Sequence, residues 1–237
     1  MREYQNQALG ELSPIQSANL PIVNEDDAPP EVERLFTRFR TDFGRPHVPG
    51  ILRCFATHPP LLEHMMGLAQ SMLFIDGALD RQHKEMIATF VSSRNNCAYC
   101  ADSHGFFLRT NGGSPELLTA VMACEVDSRE FSSQQGALLR FVQKITDDAQ
   151  SVTRADIELL HVSDWTDLQI AEAIHVTALF ACFNRVVNAF GLPSQDLLAG
   201  YANGTSPRKN PYRPNSRKKS VTGAAIERAG YSQAPRQ

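Results

Sequence analysis

Nowhere between Glu31 and Gly191 do apolar and polar residues alternate in a sustained period of two, so the chain has no segment from which a half-buried sheet could be built. Apolar positions recur instead three and four residues apart, as Val32, Leu35, Phe36 and Phe39 do. That spacing lines one face of a helix. The punctuation agrees. A first helix runs from Glu31 to about Phe43, where Gly44 and two prolines end it. A stretch rich in Leu and Met predicts a second helix from Pro60 to about Phe74, and Asp80 caps a third that finishes near Arg94. Asn95-Asn96 is an entry signal for a helix starting at the cysteines of positions 97 and 100 and stopping at Asn111-Gly112-Gly113. Ser114-Pro115 restarts helix, with serine as cap and proline at the first position. Further helices are expected over 128–148, 154–161 and 166–190, the second opened by the capping box Thr153-x-x-Asp156, and a short helical piece should follow up to Tyr201. The predicted fold class is all-α.

A length of 237 residues suits one domain with tails, and 42% apolar residues can build a substantial core. Residues 1–29 are polar and punctuated by proline, and read as an extended arm. Residues 30–200 form the expected helical domain. Residues 201–237 hold eight Lys or Arg against Glu227 alone, a net of +7, which leaves −10 on the rest of the chain. An acidic body argues against nucleic-acid binding. Arg217-Lys218-Lys219 is the tail's densest charge and a weak patch for nucleic acid or membrane. With so few apolar residues the tail cannot offset its ordering entropy, and disorder is expected there. No secretory signal stands behind Met1, and no apolar run approaches the ~20 residues that span a bilayer. Five cysteines are too few, and odd, for a disulfide framework, so a reducing, cytoplasmic setting is expected.

The chemistry concentrates in Cys97-Ala98-Tyr99-Cys100, with Glu85 upstream and His104 downstream. Two cysteines one helical turn apart can close a disulfide after a small adjustment. Cys100 and His104, four residues apart, share a helix face, so the imidazole can sit against the second sulfur. Such a neighbour matters because the thiolate, not the thiol, is the nucleophile. A helix N-terminus favours the thiolate as well. Zinc is the competing reading, with Cys97, Cys100, His104 and Glu85 as its ligands. Structural zinc usually recruits a second Cys or His pair, which is missing, so no metal and no cofactor is expected. Ala101 stands where haem attachment requires histidine. Cys54, Cys124 and Cys182 sit among apolar neighbours and read as core fillers. His58, His64, His83, His161 and His175 read as structural, with Glu172 and His175 the pair closest to helical spacing.

Glu85, Cys97, Cys100 and His104 match the E-x11-C-x2-C-x3-H pattern of the alkyl hydroperoxidase D branch of the carboxymuconolactone decarboxylase superfamily. The resemblance extends over roughly residues 20–200, through Gly44-Arg-Pro-His-Val-Pro49, Leu52-Arg53, His58-Pro-Pro-Leu-Leu62, Val152-Thr-Arg-Ala-Asp156 and Asn184-Arg-Val-Val-Asn-Ala-Phe-Gly191. Tyr99 stands where members with a fuller proton relay carry histidine, which resembles the peroxidase-related C-x-Y-C subgroup. The resemblance implies an alkyl hydroperoxidase D-like helical domain that assembles as a homo-oligomer and reduces hydroperoxides. In that scheme His104, poised by Glu85, draws the proton from Cys100. Cys100 attacks the peroxide, Cys97 resolves the sulfenic acid, and a thioredoxin-like or lipoyl protein reduces the resulting disulfide. The rivals are a lactone decarboxylase of the same superfamily, which would not need two thiols, and a non-catalytic stress or assembly protein on the same fold.

Overall fold

The structure, a computed structural model, describes residues 18–75 and 77–204. The basic tail expected from 201 onward therefore lies almost wholly outside the described residues, as does most of the N-terminal arm. Ten α-helices make up the described fold, with no strand among them: α1 (Pro30–Phe43), α2 (Gly50–Phe55), α3 (Pro59–Ala69), α4 (Arg81–Arg94), α5 (Ala98–Thr110), α6 (Pro115–Met122), α7 (Ser133–Asp148), α8 (Arg154–Val162), α9 (Asp167–Phe190) and α10 (Leu197–Ala202). Most caps are where the sequence puts them. Asp80 accepts from the His83 amide, Ser114 from Leu117, and Thr153 with Asp156 closes a reciprocal box.

Three local features differ from the sequence reading. Helix α2 was not expected, because six residues after Pro49 are too few to display a period. The second predicted helix is regular only to Ala69, then widens into a π-helical turn at Gln70–Phe74. Such turns often accompany functional sites. Neither Asn95 nor Asn96 caps α5. Cys97 is itself the cap, Asn96 takes the left-handed conformation, and the Asn95 amide reaches across to Asn184 at 3.0 Å.

Helix α4 is buried without a break from Lys84 to Ser92, so it runs through the interior rather than along a face. Helices α5, α6, α7 and α9 pack around it. Helix α9 is long and apolar enough to cross a membrane by length and composition, yet half of that stretch is buried inside the helical bundle, as in the core helix of a soluble protein. The loop before α4 is tied to α9 by Glu172, which accepts from the Ala78 and Leu79 amides at 2.8 and 2.9 Å and faces the Lys84 ammonium at 3.4 Å. Glu172 is thus committed to this tie, and His175 is exposed.

Inside the described part of the N-terminal arm, Ile22 and Val23 are fully buried, and Arg53 donates to the Val23 carbonyl at 2.8 Å. Gly191 ends α9 at φ +73°, and an added Cβ would lie 2.8 Å from the Asn19 backbone nitrogen. Gly44 also has positive φ, but with open space around it. Gly44→Ala should therefore cost only the left-handed strain, about 1 kcal/mol. Gly191→Ala should cost roughly 1–3 kcal/mol more, because the arm must move as well. Denaturant midpoints of the two variants check the difference.

Candidate active site

Helix α4 delivers Glu85 to the interior with no solvent exposure. Its two carboxylate oxygens have separate duties. Oε1 accepts from the Arg81 Nε at 2.6 Å and pairs with the Arg81 Nη2, while Oε2 meets the His104 Nδ1 at 2.6 Å. Burial pushes the Glu85 carboxyl toward the neutral form. The Arg81 charge, then the His104 charge and both hydrogen bonds, outweigh it and hold the group below its ordinary range. An ionised carboxylate can only accept, so His104 carries a proton on Nδ1 in this contact. The ring is clamped edge-on by Phe180 at 4.5 Å and Phe107 at 5.6 Å.

The thiols form a second buried unit. Cys97 is 1% and Cys100 3% exposed, and both are reduced. The Cys100 thiol donates to the Cys97 sulfur. That bond holds Cys97 below the ordinary cysteine value against burial, helped by the Cys100 backbone N–H and the Asn184 amide. Donation to Cys97 pushes Cys100 well above the ordinary value, burial and the Cys97 charge push the same way, and Asn184 opposes them. Of the two sulfurs, Cys97, at the N-terminus of α5, is therefore the one that more readily carries a charge. Asn184 is oriented for its part, since its Oδ1 accepts from Asn95 and its Nδ2 donates to Ser92 Oγ, each at 3.0 Å.

The two units meet across a cavity of about 110 Å³. Its wall is mostly apolar and rich in rings, among them Phe39, Phe55, Phe74, Phe107, Phe180 and Phe183, and it includes Cys100, Ser103 and His104 but not Cys97. The sequence reading places the His104 ring against the Cys100 sulfur; the structure has both in the same wall, with no hydrogen bond from the ring to either sulfur. Cys100 is hydrogen-bonded instead to Cys97 and to Asn184. Tyr99 stands in the same wall as Cys100, and its hydroxyl accepts from the Ile51 amide of α2 at 3.4 Å. Gln195, ahead of α10, donates to Ser103 Oγ at 2.9 Å and closes one end of the cavity.

Of the four residues singled out from the sequence, Cys100 and His104 line the cavity, with Glu85 hydrogen-bonded behind His104 and Cys97 buried beside Cys100. Missed were Arg81, Asn184 and the aromatic wall. Arg81 stands four residues before Glu85, a helical spacing legible in principle, whereas Asn184 reaches the thiols from α9, far away in the chain. Among the other cysteines, Cys54 is buried and pushed up to about 12 by desolvation, only partly offset by Arg53. Cys124 is half-buried, and Cys182 is exposed on the outer side of α9, not in the core as its apolar neighbours suggested. Two other histidines have acidic partners: His83 with Asp80 at 2.9 Å and His161 with Asp167 at 2.8 Å. No group of three or more His, Cys, Asp or Glu side chains suited to a metal ion occurs among the described residues.

A reactivity difference follows. At neutral pH the thiolate fraction of Cys54 is on the order of 10³-fold below that of an ordinary thiol. Iodoacetamide should modify Cys182 in the folded protein and Cys54 only after unfolding, as peptide mapping of timed samples will show. Comparable labelling of both would contradict the burial of Cys54.

Residues 59–143, which include all four predicted site residues, match the carboxymuconolactone decarboxylase family. An uncharacterized peroxidase-related protein from Silicibacter sp. TM1040 superposes with a TM-score of 0.68 at 26% identity, over 79% of this chain and 97% of that one. A peroxidase-related protein from Ralstonia eutropha JMP134, described as an alkylhydroperoxidase AhpD core, gives 0.68 at 24% identity over 76% and 93%. The debrominase Bmp8, in complex with 2,3,4-tribromopyrrole, shares the fold at 15% identity, with a TM-score of 0.63 over 83% of this chain and 100% of its own. No functionally curated protein sequence matches the chain. Residues 59–143 of the chain, which hold Glu85, Cys97, Cys100 and His104, thus resemble the carboxymuconolactone decarboxylase family, and the same helical fold surrounds that segment in the peroxidase-related structures.

Proposed function

We propose that this protein is a thiol peroxidase for hydroperoxides carried on a small apolar group. The observation that carries the reading is a cavity with both Cys100 and His104 in its wall and Cys97 buried beside Cys100. Its volume is of the order that accepts one benzene-sized group, and its aromatic wall offers a water-like molecule few partners. The reaction begins with the Cys100 proton passing to Cys97 along their hydrogen bond, which puts the thiolate on the cavity side. Cys100 attacks the terminal peroxide oxygen, the O–O bond breaks, and sulfur becomes a sulfenic acid. The departing alkoxide takes a proton that His104 Nε2 relays from solvent, with Glu85 stabilising the imidazolium form. Cys97 gives up its proton and attacks the Cys100 sulfur, and hydroxide leaves as water. In sum, the thiol–thiolate pair, one hydroperoxide and one proton from solvent give one disulfide, one alcohol and one water. A dithiol donor of the thioredoxin or lipoyl-protein class then returns the pair to thiols by exchange. A reducing compartment such as the cytoplasm suits that cycle, and assembly into homo-oligomers accords with the superfamily. A lactone decarboxylase would have no use for the paired thiols.

Dithiothreitol-dependent consumption of cumene hydroperoxide and of hydrogen peroxide tests the assignment. The organic substrate should show a kcat/KM at least ~10-fold higher, worth about 1.4 kcal/mol of apolar contact. No consumption of either peroxide would sink the peroxidase reading. Equal rates would remove the cavity from substrate choice.

A further inference from the structure

A fully buried carboxylate serves His104 only while it stays ionised and turned one way, and neither condition is met by Glu85 on its own. An ion of that size loses several kcal/mol of solvation in a protein interior. Arg81 answers both needs. Its Nε and Nη2 converge on Oε1, which leaves Oε2 aimed at His104 Nδ1. The guanidinium is then held from its other side by Phe74, whose ring centre lies 4.4 Å from Cζ. Phe74 closes the π-helical turn that interrupts the run after α3, and it is part of the cavity wall.

Helix energetics give Arg81 no local reason to be where it is. It is the first residue of α4, where the positive end of the helix dipole opposes a cation, and that turn holds no acidic residue. An arginine four residues before a glutamate is also the weaker orientation of a helical ion pair. The placement makes sense through Glu85. Buried at 0% exposure against 16% for the Arg81 side chain, Glu85 gains from the guanidinium what solvent cannot supply.

We propose that Arg81 is a positioning residue of this site, setting the His104 tautomer through Glu85 and tied to the cavity wall by Phe74. The proposal deepens the peroxidase reading and rests on it for the consequence in turnover. The tautomer can be read without any turnover, by 15N NMR of the imidazoles, with His104→Gln identifying the signal. In the wild type, His104 should carry its proton on Nδ1. Arg81→Met keeps a long stem against Phe74 but removes the charge. It should shift the His104 signals toward a mixture of tautomers and lower kcat/KM on cumene hydroperoxide roughly 10- to 100-fold, part of the ~10²–10⁴ that a proton relay supplies. Arg81→Lys should keep most of the wild-type spectrum, since a cation remains.

Because Arg81→Met leaves a buried charge without its partner, the cycle includes Arg81→Met/Glu85→Gln, which removes both charges. In the Glu85→Gln background the Arg81 change should add almost nothing to either the spectrum or the rate, as expected for residues acting as a unit. An unchanged His104 spectrum in Arg81→Met, or equal losses in the two backgrounds, would overturn the proposal. If the wild type consumes no peroxide, the function reading falls while the tautomer measurement still decides the role of Arg81.

Discussion

Cys100→Ser should lose peroxidase turnover on the order of 10³-fold or more, equivalent to at least ~4 kcal/mol of transition-state stabilisation. Cys100 is the sulfur that the cavity reaches, and serine cannot be oxidised by a hydroperoxide. Cys97→Ser should fail differently. It removes the resolving thiol, so Cys100 should still consume about one equivalent of peroxide and then stop as a sulfenic acid. Pre-steady-state consumption together with dimedone labelling distinguishes the two variants. A stoichiometric burst in Cys100→Ser, and none in Cys97→Ser, would reverse the two roles. That outcome has a physical basis to be tested against, because Cys97 is the sulfur held below the ordinary cysteine value. The prediction holds that access decides: a thiolate with no route to the peroxide is a proton acceptor, not a nucleophile.

Glu85→Gln should have the next largest consequence, and it should appear in stability as well as rate. Turnover is expected to fall ~10²-fold, because a neutral amide cannot support the imidazolium that delivers the proton. The variant should also lose roughly 3 kcal/mol of stability near neutral pH, since Arg81 is left buried without its counter-charge. The sign of the pH dependence follows from Glu85 being held below its ordinary value of 4.5. As pH falls, the unfolded chain takes up this proton first, so acid favours unfolding. The stabilisation from ionised Glu85 is complete above about pH 4.5 and fades as pH drops through the lower folded value. Urea midpoints of wild type and variant should therefore stay well separated at pH 6–8 and converge toward acid. A constant gap down to pH 3 would show that Glu85 is not the titrating group, and unchanged turnover would remove it from the relay.

Much of the architecture was legible because helices announce themselves locally. Ser114-Pro115, Thr153-x-x-Asp156 and Asp80 cap helices with side chains only three residues from the amides they satisfy, so neighbours in sequence are enough to place them. The same is true of Cys97, Cys100 and His104, which one helix carries at fixed spacing. Local signals failed where distant parts of the chain compete for the same group. Asn95 could have capped α5, but Asn184 offers its amide a buried partner, and Cys97 takes the cap position instead. Cys182 has apolar neighbours in sequence, yet the turn of α9 that buries Phe183 and Asn184 faces it outward.

The sequence by itself determined the helical class and the placing of Cys97, Cys100 and His104 along one helix, since each depends on local spacing or on residue type. The tertiary structure alone decided what those residues do to one another. Packing α5 against α4 brings Glu85 to His104 across nineteen positions, and Arg81 then selects which carboxylate oxygen remains for the imidazole. Packing α9 against both supplies Asn184 to the sulfurs and Phe180 to the ring. Charge at a buried site is set by distance and desolvation in three dimensions, and no spacing rule along the chain encodes either of them.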